Sequence, residues 1–375
     1  MIEGIHTMDD KTDFFPGDIE IVDADLAERM SDIALRRAKR MASINSRYLA
    51  TKRDKEINSE VDLLVGNASV SVDGYQIERR GLALIGDTGA GKSRLIARLI
   101  AERKEFQPRT TGMTVTKPLV AIKAPRPSDL LEIAYVLLEQ LEYPLERELK
   151  APAAWRMVRR QLKVRQVRFI HIDEAQHMLN MGDPDAMEEL ADALKMVMEQ
   201  ADWPVSFILT GMPELADFMT IYGQISRRTH KVHLENLSLP RDNELVAWIV
   251  KTIVESHAEM TFGFTVTDTY LGRLCHGANR QFGALTQIVR GAVEQALVDN
   301  IEATQVDHGH FVRSYELFSG CKPEQNVMSS RTWHEIHPLN ALLRDQELAR
   351  VQVMQALAER AAALRGRRRR KKKEN

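Results

Sequence analysis

The chain has 375 residues, 44% of them apolar and 28% charged, with a formal net charge of −1. That balance fits a globular protein of about two domains, at roughly 150 residues each, and excludes a wholly disordered, collagenous or membrane-spanning chain. Cys275 and Cys321 are too few for a disulfide framework, and the start, MIEGIHTMDDKTDFF, has neither the basic nor the apolar region of a secretory signal; both thiols are expected to be reduced, in a cytosolic protein.

The elements follow in chain order. Residues 1–20 are acidic and weakly patterned, an expected disordered or partner-dependent segment. From Asp25 to Tyr48 apolar residues recur at helical spacing, with Arg36, Arg37, Lys39 and Arg40 opposite. Residues 51–80 are mixed. Gly81–Ile85 then reads as a short buried strand and Lys92–Glu102 as a helix. Pro118–Ile122 is a second strand, followed by a helix over Ser128–Leu141 capped by Ser128. An arginine-rich helix over Trp155–Gln166 leads to a third strand, Val167–Ile172. Pro184–Gln200 reads as a helix, Val205–Leu209 as a fourth strand and Lys231–Leu234 as a fifth. Strands and helices alternating in this way predict a parallel sheet covered on both faces. After Pro240 the pattern is helical: Asn243–Ser256, Asp268–Cys275, Gly283–Asn300 and Gln305–Tyr315. The Gly, Pro and Ser of 319–338 suggest a linker, and Leu339–Leu364 a long helix running into a basic tail. The expected organisation is an N-terminal segment (1–50), an α/β domain (51–240), a small all-α domain (241–318) and a C-terminal region (319–375).

The segment Gly86-Asp87-Thr88-Gly89-Ala90-Gly91-Lys92-Ser93 fits G-x-x-x-x-G-K-[ST]. Glycines let backbone amides turn inward around an anion, and the helix that begins near Lys92 points its positive dipole end at that anion. Lys92 is suited to the β- and γ-phosphates of a nucleotide, and the Ser93 hydroxyl to Mg²⁺. Arg94, on the first helical turn, joins the candidate nucleotide-binding set. About 80 residues on, the third strand ends in Asp173-Glu174. A carboxylate at Asp173 can hold the Mg²⁺ shell, and a second at Glu174 can polarise an attacking water; Asp173 could instead cap the following turn. His171 and His177 flank the pair without enough neighbouring ligands for a metal site and read as structural or hydrogen-bonding residues.

GDTGAGKS, then FIHIDEAQHML, then FILTGMPEL together resemble the AAA+ ATPases, in particular the branch of TniB/TnsC-type regulators of DNA transposition. The likeness covers roughly residues 60–300. It implies an AAA+ P-loop fold with a five-stranded parallel sheet between helices and a small helical lid domain. It also implies ATP and Mg²⁺ as cofactors, in a bacterial cytoplasm. Thr210 falls where this superfamily keeps a polar sensor, although a β-branched strand terminus reads the same way. Arg227 or Arg228 falls where an arginine projects into a neighbouring subunit's nucleotide site, a basic surface turn being the other reading. Arg280 falls near a second sensor position, or is a helix-end surface charge.

The resemblance further implies a ring or helical filament, a hexamer or heptamer, on double-stranded DNA without base reading. It also implies recruitment of a transposase and of a TniQ/TnsD-type target-selection protein. The residues for the DNA role are Arg109, Thr110, Thr111, Thr114, Thr116 and Lys117 in an acid-free stretch, with Lys123 and Arg126 after the second strand; each could equally be a solvated face. The basic helix of Arg156, Arg159, Arg160, Lys163 and Arg165 is a second DNA-binding candidate. Arg365, Arg367–Arg370 and Lys371–Lys373 form a basic tail suited to DNA or an acidic partner. Two other classes remain open from sequence: a loader or secretion-associated ATPase, and a nucleotide-gated scaffold that hardly hydrolyses.

Overall fold

The computed structural model describes residues 23–72, 75–76, 80–111, 114–125, 129–145, 148–178 and 184–338. The described residues form two compact units, 50–236 and a second made of 23–49 with 237–338. The predicted helix at 339–364, the basic tail, residues 1–22 and Arg126 lie outside the described residues.

The first unit is built on five parallel strands: β1 (Gly81–Ile85), β2 (Leu119–Lys123), β3 (Phe169–Asp173), β4 (Ser206–Gly211) and β5 (Thr229–His233). Their order across the sheet is β2-β3-β4-β1-β5. All pairings are parallel, with Ile85 beside Gly211 on one side and beside His233 on the other. Alternation along the strands feeds two cores. Ala83, Ile85, Ile170, Ile172, Phe207 and Leu209 face the helices Leu130–Gln140, Ala151–Val164 and Pro184–Met198. Leu82, Leu84, Phe169 and Ile208 face the helices Lys52–Ser69 and Lys92–Glu102. The sheet is therefore sandwiched, as the alternating pattern predicts.

Two local expectations are corrected. The stretch from residue 51 holds an 18-residue helix, Lys52–Ser69, opened by a Thr51/Asp54 capping box and buried only along Ile57, Val61 and Leu64. Its buried residues follow the helical i, i+4, i+7 spacing, but the stripe is narrow and lies among many charged and polar residues, with the exposed Leu63 off it. The helix after β2 is capped by Asp129, whose carboxylate accepts the Glu132 N–H at 2.8 Å, rather than by Ser128. The segment before β2 also carries structure of its own. Arg109–Thr111 and Thr114–Thr116 pair as an antiparallel ribbon, Arg109 opposite Thr116.

The second unit is helical. Helix Asp32–Ser46 contributes Met41 and Ile44 to a core shared with Asn243–Lys251, Asp268–Gly277, Phe282–Asp299 and His308–Ser319. Residues 319–338 pack onto that core: Val327 and Met328 are buried, and Arg273 Nη1 lies 3.0, 3.2 and 2.7 Å from the carbonyls of Val327, Met328 and Ser330. No helix among the described residues is long and apolar enough to cross a membrane.

Candidate nucleotide site

The strand order gathers the predicted motifs. In a parallel sheet every strand delivers its following loop to one edge, and ligands collect there. The loop after β1, the Asp-Glu pair closing β3 and Thr210 near the end of β4 all reach that edge.

The loop has the backbone an anion cradle needs. Gly89 and Gly91 take φ of 84° and 94°, the left-handed region that glycine enters without steric cost. Gly91 is the N-cap of the Lys92–Glu102 helix. A Cβ on Gly86 would meet Leu234 at 3.1 Å and Ala90 at 3.3 Å, so the loop folds tightly because that position is bare. Asp87 accepts a hydrogen bond from the Asn236 amide at 3.0 Å. The Thr88 hydroxyl faces the Met212 sulfur at 3.9 Å.

Lys92 is buried at the base of the loop. Its ammonium donates to two backbone carbonyls, Gly86 at 2.7 Å and Asp87 at 3.0 Å. Burial pulls its pKa down, while Glu174, Asp173 and Asp87 oppose that shift. Ser93 and Arg94 are exposed on the same helical turn.

Asp173 is the hub. Its Oδ1 accepts the Thr210 hydroxyl at 2.5 Å and the Glu174 N–H at 2.9 Å, and its Oδ2 accepts the Ser93 hydroxyl at 3.3 Å. The predicted metal ligands Ser93 and Asp173 are thus in contact, and the predicted sensor Thr210 touches the same carboxylate. Behind them His171 lies buried, its Nε2 3.2 Å from Thr210 Oγ1. Burial pushes that imidazole down to about 4, with Asp173 pulling the other way, so it is neutral at pH 7. Thr210 spends its one proton on Asp173, so the neutral ring must donate from Nε2. Glu174 adopts φ of 53° and turns its carboxylate towards Gln176 Nε2, with His177 Nε2 at 3.6 Å.

The residues fit a magnesium nucleotide. A buried ammonium has only carbonyl partners among the described residues. Two glycines hold the left-handed turns of an anion nest, and a hydroxyl and a carboxylate offer Mg²⁺ the hard oxygens it prefers.

Other predicted residues lie elsewhere. Arg227 is exposed and its side chain makes no hydrogen bond or ion pair among the described residues, whereas Arg228 pairs with Glu199 and donates to the Gln224 carbonyl at 2.9 Å. Arg280 is exposed in the helical unit, at φ of 59°. Arg109, Thr110, Thr111, Thr114 and Thr116 belong to the ribbon that leads into β2, while Lys123 closes β2 in register with Asp173. The ribbon and Lys123 therefore sit at opposite ends of β2. Lys117 is ion-paired with Glu142. Nothing local in the sequence marks Met212 or Asn236 as site residues, whereas the glutamine two positions after Glu174, inside IDEAQH, is a signal for Gln176.

A sandwiched 2-3-4-1-5 parallel sheet with a phosphate loop after β1 and an acidic pair after β3 is an AAA+ P-loop fold. Residues 77–219 match the family model described as AAA domain. Among solved structures the chain is similar to Cdc6p from Pyrobaculum aerophilum, at 12% identity and a TM-score of 0.50 over 73% of this chain and 69% of that one. It is also similar to the ORC2 protein of Aeropyrum pernix, at 17% identity and a TM-score of 0.48 over 72% and 68%. For the RuvB branch-migration motor of Thermotoga maritima the values are 13% and 0.41 over 72% and 70%. At these identities the likeness concerns the fold. No curated protein matches the chain.

Proposed function

We propose that the protein is an ATPase that uses nucleotide to assemble on double-stranded DNA, as a regulator of DNA transposition. The observation that carries the hydrolytic part is the convergence of Ser93 and Thr210 on Asp173, above the buried Lys92 ammonium. A magnesium ion would supply charge to offset that of the phosphates. Ser93 and Asp173 would hold that ion, and Lys92 would exchange its carbonyl partners for phosphate oxygens. Glu174 would take the proton of the attacking water. Thr210, its hydroxyl steered by His171, would orient the reacting groups.

The DNA and transposition parts rest on the IDEAQH and LTGMPEL motifs and on the exposed Arg109 and Thr110 of the ribbon. In this reading Arg227 is the arginine that serves a neighbouring copy, because Arg228 is already engaged. A transposase and a TniQ/TnsD-type protein are the partners of the assembled form.

One experiment follows ATP turnover and retention of duplex DNA for the native chain, Lys92→Ala and Glu174→Gln. Lys92→Ala should lose nucleotide-dependent DNA retention. Glu174→Gln should lower kcat by roughly 10²-fold or more and hold DNA for longer. Native-rate hydrolysis by Glu174→Gln would remove Glu174 as the base.

A further inference from the structure

Gln176 lies on the single turn Ala175–Met178 that follows Glu174, and its side chain spans two strand ends. Its Nε2 donates to Glu174 Oε2, and its Oε1 accepts the Met212 N–H at 3.0 Å. The amide can be oriented only one way. Reversed, it would set an oxygen against the carboxylate and an NH₂ against an N–H. The approach is also built into the backbone: a Cβ on Gly211 would stand 2.7 Å from Gln176 Oε1, so the glycine leaves the space the amide occupies. Met212 in turn presents its sulfur to the Thr88 hydroxyl of the phosphate loop, and it stands two residues after Thr210.

We infer that Gln176 is a positioning residue that ties the Glu174 carboxylate to the end of β4, so that the base takes its place from the strand that carries Thr210. This rests on the hydrolytic reading above. The bridge needs both halves of an amide, a donor for the carboxylate and an acceptor for Met212. Gln176→Glu keeps the acceptor and the shape but removes the donor and sets two carboxylates side by side. Gln176→Ala removes both halves.

The two variants separate the contacts. Hydrogen exchange of the Met212 amide in nucleotide-free protein reads the first contact without any turnover. Exchange should be about fivefold or more faster in Gln176→Ala and near native in Gln176→Glu, because an unpaired amide at a strand end opens more readily. Turnover reads the second: kcat should fall about tenfold in both variants, since a displaced base costs rate, while ATP affinity stays within about twofold. Placed in Glu174→Gln protein, Gln176→Ala should leave single-turnover hydrolysis unchanged, which a merely structural role would not do. The inference is overturned by a native Met212 exchange rate in Gln176→Ala, by a native kcat in Gln176→Glu, or by equal losses with and without Glu174. Native protein that hydrolyses no ATP would instead refute the hydrolytic reading, and it is seen in a different measurement from the Met212 exchange.

Discussion

Asp173 and His171 show how one residue's chemistry depends on the next. Asp173 accepts three hydrogen bonds, from Ser93, Thr210 and its own neighbour's amide. His171 cannot be charged without cost in its buried place, and it supplies the donor that leaves Thr210 free to point its proton at Asp173. This has a pH signature. An imidazole at about 4 in the folded chain and 6.5 in the unfolded chain means that the unfolded state binds more protons between those values. Its contribution is complete above the unfolded value and is lost as pH falls from 6.5 towards 4. Between pH 7 and pH 5 the loss is about 2 kcal/mol. His171→Gln keeps an amide donor and cannot titrate, so its unfolding free energy from urea titration should depend less on pH by that amount. Parallel curves for native and variant protein would show that the imidazole titrates normally.

Among the elements, the segment 319–338 is one that composition misreads. Its Gly, Pro and Ser suggest a linker, yet Arg273 reaches across from the Asp268–Gly277 helix to three of its carbonyls, and the Arg273 guanidinium stands 5.7 Å from the Trp333 ring centre. Long-range side-chain-to-carbonyl bonds leave no periodicity behind. The Lys52–Ser69 helix does leave a periodic trace, Ile57, Val61 and Leu64 at i, i+4 and i+7, but a narrow one among many charged and polar residues. Four of the five strands were legible because buried parallel strands are largely apolar runs, and no strand end shifted by more than two residues. The phosphate loop and the Asp-Glu pair were legible because each is local in sequence. The Asp173 hub was not, because Ser93, His171 and Thr210 meet only after β4 has been placed between β1 and β3. Arg273→Ala tests the packed segment: it strips a charged donor from the carbonyls of buried Val327 and Met328. A loss of roughly 2 kcal/mol in unfolding free energy is expected, with faster protease cleavage within 320–335. Unchanged cleavage would show that the segment is held by Val327 and Met328 alone.

At the scale of the whole molecule, the proposed assembly asks which arginine one copy offers to the next. The two adjacent arginines after the Gly223–Ser226 turn differ in what they already hold. Arg228 is tied to Glu199 and to the Gln224 carbonyl, so using it elsewhere would break an ion pair and a hydrogen bond. Arg227 is exposed and gives up no such contact when it reaches outward. An arginine that acts in a neighbour's site can be detected by complementation, since the phosphate loop and the arginine then belong to different chains. Lys92→Ala protein lacks the first and keeps the second; Arg227→Ala protein has the reverse. Each alone should be inactive in DNA-dependent ATP turnover. Mixed in equal amounts, they should regain about a quarter of native activity, because a head-to-tail contact joins an intact loop to an intact arginine in that share of pairings. Arg228→Ala should keep most of its turnover alone and lose stability instead, having released Glu199. A mixture of Lys92→Ala and Arg227→Ala as inactive as its parts would mean that the two residues are needed in the same chain, and the inter-copy role of Arg227 would be withdrawn.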